Sequence, residues 1–168
     1  MSASRKAAER LSGARMQMSA PGLGRMKNAF LHTLVQSRPS GQGGLIQHAP
    51  GIFQELVPKD YEVRLTVVAD QMFAAKILSQ QNELTKIDWR IAPHEITYEP
   101  VELPAEIRNS VKAFMTECGL VYSCLDFIVT PDGRHVFLES NPRGQYLWIE
   151  DYTRMPITEA IADAVMTQ

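Results

Sequence analysis

The dipeptide Asp132-Gly133 lies between two runs that read as strands, Val121 to Thr130 and His135 to Glu139. Asp-Gly flanked by alternating hydrophobics is the strongest short-range signal for a β-hairpin. It fixes more of this chain than any other feature. With Asp132 and Gly133 at the two turn positions, Thr130 faces His135, Ile128 faces Phe137 and Asp126 faces Glu139. Directly opposed residues sit roughly 4.5–5.5 Å apart at Cβ. A four-residue loop would keep this register, whereas a three-residue loop would break it.

The rest of the folded region organises around that hairpin. Tyr61 to Val68 alternates, with Val63, Leu65 and Val67 on one face and Glu62, Arg64 and Thr66 on the other. Asp70-Gln71 reads as a turn, and Met72 to Leu78 as the returning strand. Leu45 to Gln47 and Phe53 to Val57 read as short strands. Leu84 to Tyr98 is irregular. Pro104 opens a helix where its missing N–H costs nothing. The stripe Ile107, Val111, Phe114, Met115 and Cys118 continues that helix, and Gly119 stops it. Asn141 to Asp151 reads as a loop, and Pro156 starts a last helix running to about Met166. Further upstream, Asn28 to Gln36 reads as a helix, and a short helix over Arg5 to Leu11 is the lesser alternative to a tail. Residues 1–27 read as a mobile tail, and Ser37 to Gly44 as a loop. Hairpins plus helices predict an α+β fold built on an antiparallel sheet.

Composition excludes several classes. The chain has 168 residues, enough for one domain with a real core. Its 17 basic and 19 acidic residues give a net charge of −2, so a dedicated nucleic-acid binder is not expected. No run approaches the roughly 18 apolar residues of a membrane helix, and the N-terminus has no apolar signal core. The two cysteines, Cys118 and Cys124, make neither a disulfide framework nor a zinc site. They read as small core residues, and a cytoplasmic setting is the expectation.

The hairpin also carries the chemistry. Opposing Asp126 and Glu139 repel, which a purely structural sheet would avoid. Asn141, two residues on, points to the same face. Hard oxygen donors in small number suit Mg²⁺, which keeps waters and shares substrate phosphates. The competing reading is a pair of solvated strand residues. Arg64 is either a surface residue or a clamp on a phosphate oxygen. Lys76, paired through a two-residue turn, would sit opposite Leu65 and off the Arg64 face. In Asp88-Trp89-Arg90, the tryptophan reads as a loop anchor and Arg90 as a second anion contact. His135 lies on the Asp126 face but near the turn. His32, His48 and His94 show no ligand spacing, and Gly41-Gln-Gly-Gly44 lacks a phosphate-loop pattern. Gly144, Gln145 and Trp148 could shape a substrate site or pack against the last helix.

Taken together, Phe53-Gln-Glu-Leu-Val-Pro-Lys59, Tyr61-Glu-Val-Arg64 and Asp126…Leu138-Glu-Ser-Asn141-Pro resemble the C-terminal half of an ATP-grasp ligase. Asp88-Trp-Arg90 and Asn141-Pro-Arg-Gly-Gln-Tyr-Leu-Trp-Ile-Glu150 resemble motifs of the ribosomal peptide maturases that make microviridin-like graspetides. Those enzymes usually have Trp where this chain has Tyr146. The resemblance covers about Pro50 to Ala164. It implies that Gln54, Glu55, Leu56 and Val57 form the adenine hinge, with Lys59, Glu55 and Glu62 near the nucleotide. It implies that Arg64 contacts the transferred phosphate, with Arg90 as a further catalytic cation. Asp126, Glu139 and Asn141 would hold Mg²⁺, with Mn²⁺ as an alternative. The implied substrates are ATP and a ribosomal precursor peptide whose carboxylate becomes an acyl phosphate, then an ester or amide.

The chain departs from that pattern upstream. Only Lys6 and Lys27 precede the hinge, and neither sits in a convincing lid strand. The expectation is a C-terminal fragment: residues 1–27 outside the family pattern, 28–49 a remnant of the lid or connecting segment, and 50–168 the ATP-grasp C-terminal subdomain. The N-terminal domain and most of the lid would be missing. A separately encoded N-terminal half or a homodimer partner would then complete the site. The alternative is a non-catalytic remnant or subunit that keeps a nucleotide- and metal-binding surface.

Overall fold

A computed structural model describes residues 55–167. The expected strand at Leu45 to Gln47, the two upstream helices, the loop at Ser37 to Gly44 and the hinge residue Gln54 lie outside the described residues. Five strands form one antiparallel sheet: β1 (Tyr61–Val68), β2 (Gln71–Ile77), β3 (Tyr98–Pro100), β4 (Tyr122–Val129) and β5 (His135–Asn141). Their spatial order is β3-β2-β1-β4-β5. Three helices accompany them: α1 (Ala105–Cys118), α2 (Leu147–Thr153) and α3 (Ile157–Met166).

β1 is the central strand, and Val63 to Val68 are all buried. Its odd-numbered residues Val63, Leu65 and Val67 pack with Leu125, Phe127, Val129 and Phe137 against the stripe Ile107, Val111, Phe114 and Met115 of α1. Each such large side chain contributes about 1.5–3 kcal/mol on burial. Pro104 stands just before the first helical residue, and its carbonyl accepts the Arg108 N–H at 3.0 Å. On the other face, Val68, Phe73, Ala75 and Ile77 pack against Ile149 of α2 and Ile157 and Ala160 of α3. That second layer leaves the even-numbered polar residues of β1, Glu62 and Arg64, on the face shared with Asp126 and Glu139.

The hairpin forms, but by a different route from the simple two-residue turn. Val129 pairs with His135, Ile128 with Val136 and Phe127 with Phe137. The loop is the three-residue Pro131-Asp132-Gly133, with Gly133 at φ +81° and its N–H on the Thr130 carbonyl at 2.8 Å. A type I turn followed by a left-handed residue is the usual three-residue solution. It shifts the register by one, so Thr130 and Ile128 lose their expected partners. A bulge at Leu138 then restores the pairing of Asp126 with Glu139. His135 accordingly pairs with Val129 and lies on the α1 face, opposite to the Asp126 face where it was expected.

Other expectations need correction. The β1–β2 turn is Ala69-Asp70, with Ala69 at φ 50°, one residue earlier than read. Lys76 therefore pairs with Val63 rather than Leu65, still off the Arg64 face, and sits 4.1 Å over the Tyr61 ring. Residues 55–57 form no strand. The segment read as irregular contains two short 3-10 turns, Trp89–Ile91 and Pro93–Glu95, and ends at the start of β3, and the segment read as a loop contains the start of α2.

Two outcomes test the hairpin. Gly133→Ala places a Cβ in a left-handed conformation and should cost about 1 kcal/mol in urea unfolding. Burial holds the His135 imidazole below its ordinary pKa. The unfolded chain then binds more protons near and below pH 6.5, so stability rises with pH there and is lost as pH falls. The urea midpoint should drop between pH 7.5 and pH 5.5, and the drop should shrink in His135→Gln.

Candidate functional site

Arg64 and Asp126 are direct partners across β1 and β4. Nη1 of Arg64 donates to Oδ1 and Oδ2 of Asp126 at 2.8 and 2.6 Å, and Nη2 donates to the Gln145 carbonyl at 3.1 Å. Arg64 is 8% exposed, and its Nε is buried without a hydrogen-bond partner among the described residues. An unsatisfied buried donor of this kind costs about 1–3 kcal/mol. Burial opposes the Arg64 charge, but Asp126 outweighs it, so the guanidinium is held above its ordinary range. For Asp126, burial raises the carboxyl pKa; Arg64 pulls it down, and the charge and hydrogen bond of Glu139 add to the rise.

Asn141 completes the group. Its Nδ2 donates to Glu139 Oε1 at 3.0 Å and to Asp126 Oδ2 at 3.5 Å. The bulge at Leu138 puts Glu139 opposite Asp126, and Asn141 opposite Cys124 on the same face. A half-turn of the Asn141 amide exchanges its nitrogen for its oxygen and gives three oxygen-bearing side chains on one face. Two carboxylates bridged by the Asn141 amide fit a hard cation such as Mg²⁺, with positions left for water and phosphate. Among the described residues, no group of three or more His, Cys, Asp or Glu is placed to hold a metal. A cation here would therefore need Asn141 and ligands from a substrate.

A close backbone approach sets the loop after β5. A Cβ on Gly144 would lie 2.4 Å from the Cys124 Cβ, so only glycine fits there. The Gly144 carbonyl accepts the Tyr122 hydroxyl at 2.6 Å, and its N–H donates to the Asn141 carbonyl at 2.9 Å. Pressed onto β4 in this way, the loop delivers the Gln145 carbonyl to Arg64. Cys124 is buried beneath it and Cys118 is half-buried; both are free thiols.

The remaining candidates fall into two groups. Glu62 is buried and accepts from Lys59 Nζ and Ser79 Oγ, while Lys59 also donates to the Ile87 carbonyl at 3.1 Å. Burial raises the Glu62 pKa against the pull of Lys59 and those two bonds. Arg90 grips the buried Asp88 through Nε at 2.8 Å and Nη2 at 2.7 Å. That bond raises its pKa, and Arg90 also senses the charges of Glu139 and Asp126. Glu55 and Leu56 are exposed and Val57 is half-buried, apart from the cluster's hydrogen bonds.

Sequence reasoning named Trp89 as a loop anchor and Trp148 as a candidate at a substrate site, but missed Tyr98, Tyr152 and the clustering of all four rings. Trp89 and Trp148 lie 4.9 Å apart, Tyr98 and Trp148 5.3 Å, and Tyr98 and Tyr152 4.6 Å. Their shared position depends on β3 and α2, neither of which has a strong local signal. A Trp and a Tyr four residues apart, Trp148 and Tyr152, were the one available hint.

The fold has counterparts among solved structures. The macrocyclase MdnC bound with precursor peptide MdnA, from Microcystis aeruginosa MRC, is 40% identical with a TM-score of 0.59 over 68% of this chain and 36% of its own. A Chryseobacterium gregarium RiPP-associated ATP-grasp ligase, in complex with ADP and a leader and core peptide, is 32% identical with a TM-score of 0.61, covering 66% of this chain and 34% of its own. The macrocyclase MdnB from Microcystis aeruginosa MRC is 31% identical with a TM-score of 0.60, covering 76% and 37%. The chain is similar to the RiPP-associated ATP-grasp ligases. It spans about a third of the length of those ligases. No protein-family model and no curated protein matches it. The α+β fold with an antiparallel sheet agrees with the resemblance read from the sequence.

Removing one partner of the central ion pair should be costly. Asp126→Asn leaves Arg64 buried without its counter-charge and should destabilise the chain by about 3 kcal/mol in urea unfolding. Glu139→Gln, at an exposed position, should change the midpoint little.

Proposed function

We propose that this chain carries the metal- and phosphate-handling portion of an ATP-dependent carboxylate ligase that acts on a ribosomal precursor peptide. The observation that carries the reading is the Arg64–Asp126 pair with Glu139 and Asn141 beside it, on a fold shared with RiPP-associated ATP-grasp ligases. In this reading a peptide carboxylate oxygen attacks the γ-phosphorus of ATP. The bond to the β–γ bridging oxygen breaks, and ADP leaves with that electron pair. A hydroxyl or amine then displaces phosphate from the acyl phosphate and loses its proton, giving an ester or an amide.

The chain's own residues have distinct tasks. Asp126, Glu139 and Asn141 would hold Mg²⁺, which when bound offsets the charge of the phosphates. Asp126 cannot serve a cation and Arg64 at full strength together. Were one Asp126 oxygen to serve a cation, Nη1 of Arg64 would be freer to meet a phosphate oxygen. Arg90, fixed by Asp88, would add positive charge for the peptide carboxylate or the transferred phosphoryl group. Lys59 and Glu62 would lie toward the nucleotide, Glu62 being held by Ser79, and the segment from Gln54 to Val57 would receive adenine. Manganese would satisfy the same oxygen donors.

Calorimetry with ATP tests the reading. Binding should require Mg²⁺ and should weaken roughly tenfold or more in Glu139→Gln, the order expected for losing a close charge partner of the cation. A folded wild-type chain that shows no Mg²⁺-dependent ATP binding would sink the ligase reading for this chain alone. It would favour a non-catalytic subunit or remnant, or a site completed by a separately encoded half or a second copy.

A further inference from the structure

The aromatic residues noted above line a cleft of about 640 Å³ together with Arg90 and Gln145. We propose that this cleft is a specificity pocket for an aromatic side chain next to the reacting carboxylate of an acidic peptide. The inference rests on the ligase reading, and it adds which residue accompanies the carboxylate.

Three observations support it. The ring hydroxyls are already engaged: Tyr98 donates to the Pro93 carbonyl at 2.8 Å, and Tyr152 pairs with His94 Nδ1 at 3.0 Å. What the cleft offers a ligand is therefore mainly ring surface, with Arg90, His94, Gln145 and the acidic Asp151 as its polar lining. The rings stand at mixed angles: Trp89 and Trp148 are tilted by 32°, Tyr98 and Tyr152 are stacked at 25°, and Tyr98 meets Trp148 edge-on at 72°. Such walls give an incoming ring both offset-stacked and edge contacts, the two favoured aromatic geometries. Finally, the cleft adjoins the charged cluster. Gln145 lines the cleft and its carbonyl holds Arg64, while Arg90 brings positive charge to the rim. Neighbouring residues of an extended peptide are about 3.8 Å apart at Cα. One side chain can therefore enter the cleft while its neighbour's carboxylate turns toward the arginines.

The chain supplies its own reporter. It contains two tryptophans, and both line this cleft. The probes are acetyl-Phe-Glu-amide and acetyl-Glu-Phe-amide, which lack tryptophan, titrated against the full chain in Mg²⁺ buffer while tryptophan fluorescence is followed. At least one order should bind saturably and about tenfold more tightly than the matching Ala-Glu or Glu-Ala peptide. The corresponding glutamine peptide should bind more weakly than the glutamate peptide. Tyr152→Ala removes an exposed wall and should erase the preference for Phe over Ala. Should that variant fail to fold, Tyr152→Leu is read in the same way, since it keeps apolar bulk without a ring. Equal binding of Phe and Ala peptides would overturn the pocket, and equal binding of Glu and Gln peptides would overturn its link to a carboxylate. ATP calorimetry on the same preparation separates the two ideas. A Phe preference without Mg²⁺-dependent ATP binding would remove the ligase reading and keep the pocket. ATP binding without a Phe preference would do the reverse.

Discussion

The Arg64–Asp126 pair organises this molecule because it joins the two strands that everything else packs upon. β1 and β4 lie side by side at the centre of the sheet, and on one face they share an apolar seam with α1. On the other face, at the same register, they share a charge pair. A buried pair is weak as a source of stability, since desolvation offsets most of the attraction. Its effect here is on register and position. With Arg64 opposite Asp126, a one-residue slip of β4 against β1 separates the charges and turns the apolar residues of the slipped strand away from the helix.

The second constraint is the bulge at Leu138. Without it, the three-residue loop would pair Leu138 with Asp126 and turn Glu139 to the α1 face. The extra residue is the step that brings a second carboxylate, and then Asn141, to the face of Arg64. Leu138 itself is left 41% exposed. Bulges that re-aim a side chain beside a functional site are common. Here the gain is a carboxylate pair, and an exposed leucine is its cost.

These two features show how far the chain could be read without coordinates. The faces of β1 were legible because its period of two is unbroken, and α1 because Pro104, the apolar stripe and Gly119 agree. The opposition of Asp126 and Glu139 was also legible, but through two deviations that cancel. A three-residue loop removes the register that Asp-Gly suggests, and a bulge returns it. The loop mispaired Ile128, Thr130 and His135, and nothing in Phe137-Leu138-Glu139 announces the bulge that corrects the register beyond them. β3 is three residues long, and α2 follows Gly144-Gln145-Tyr146 with no capping side chain. Both exist because tertiary contacts hold them, β3 against the edge of β2 and α2 through its buried Ile149 on the sheet. Local sequence carries little trace of either.

The loop between β5 and α2 is where these threads meet. Gly144 must be bare because its backbone lies against Cys124, and that closeness lets the next carbonyl, Gln145, reach Arg64. Two residues later α2 begins, carrying Trp148 and Tyr152 to the aromatic cluster. A short rigid connection therefore ties a charged group on the sheet to a ring-lined cleft under the helix. Displacing residue 144 would shift both at once: the Gln145 carbonyl would leave Arg64, adding a lost bond to the unsatisfied Nε, and Trp148 would move off Trp89. The Arg64 bond and the placing of the rings are in this way set by one backbone contact, and neither can be altered there without the other.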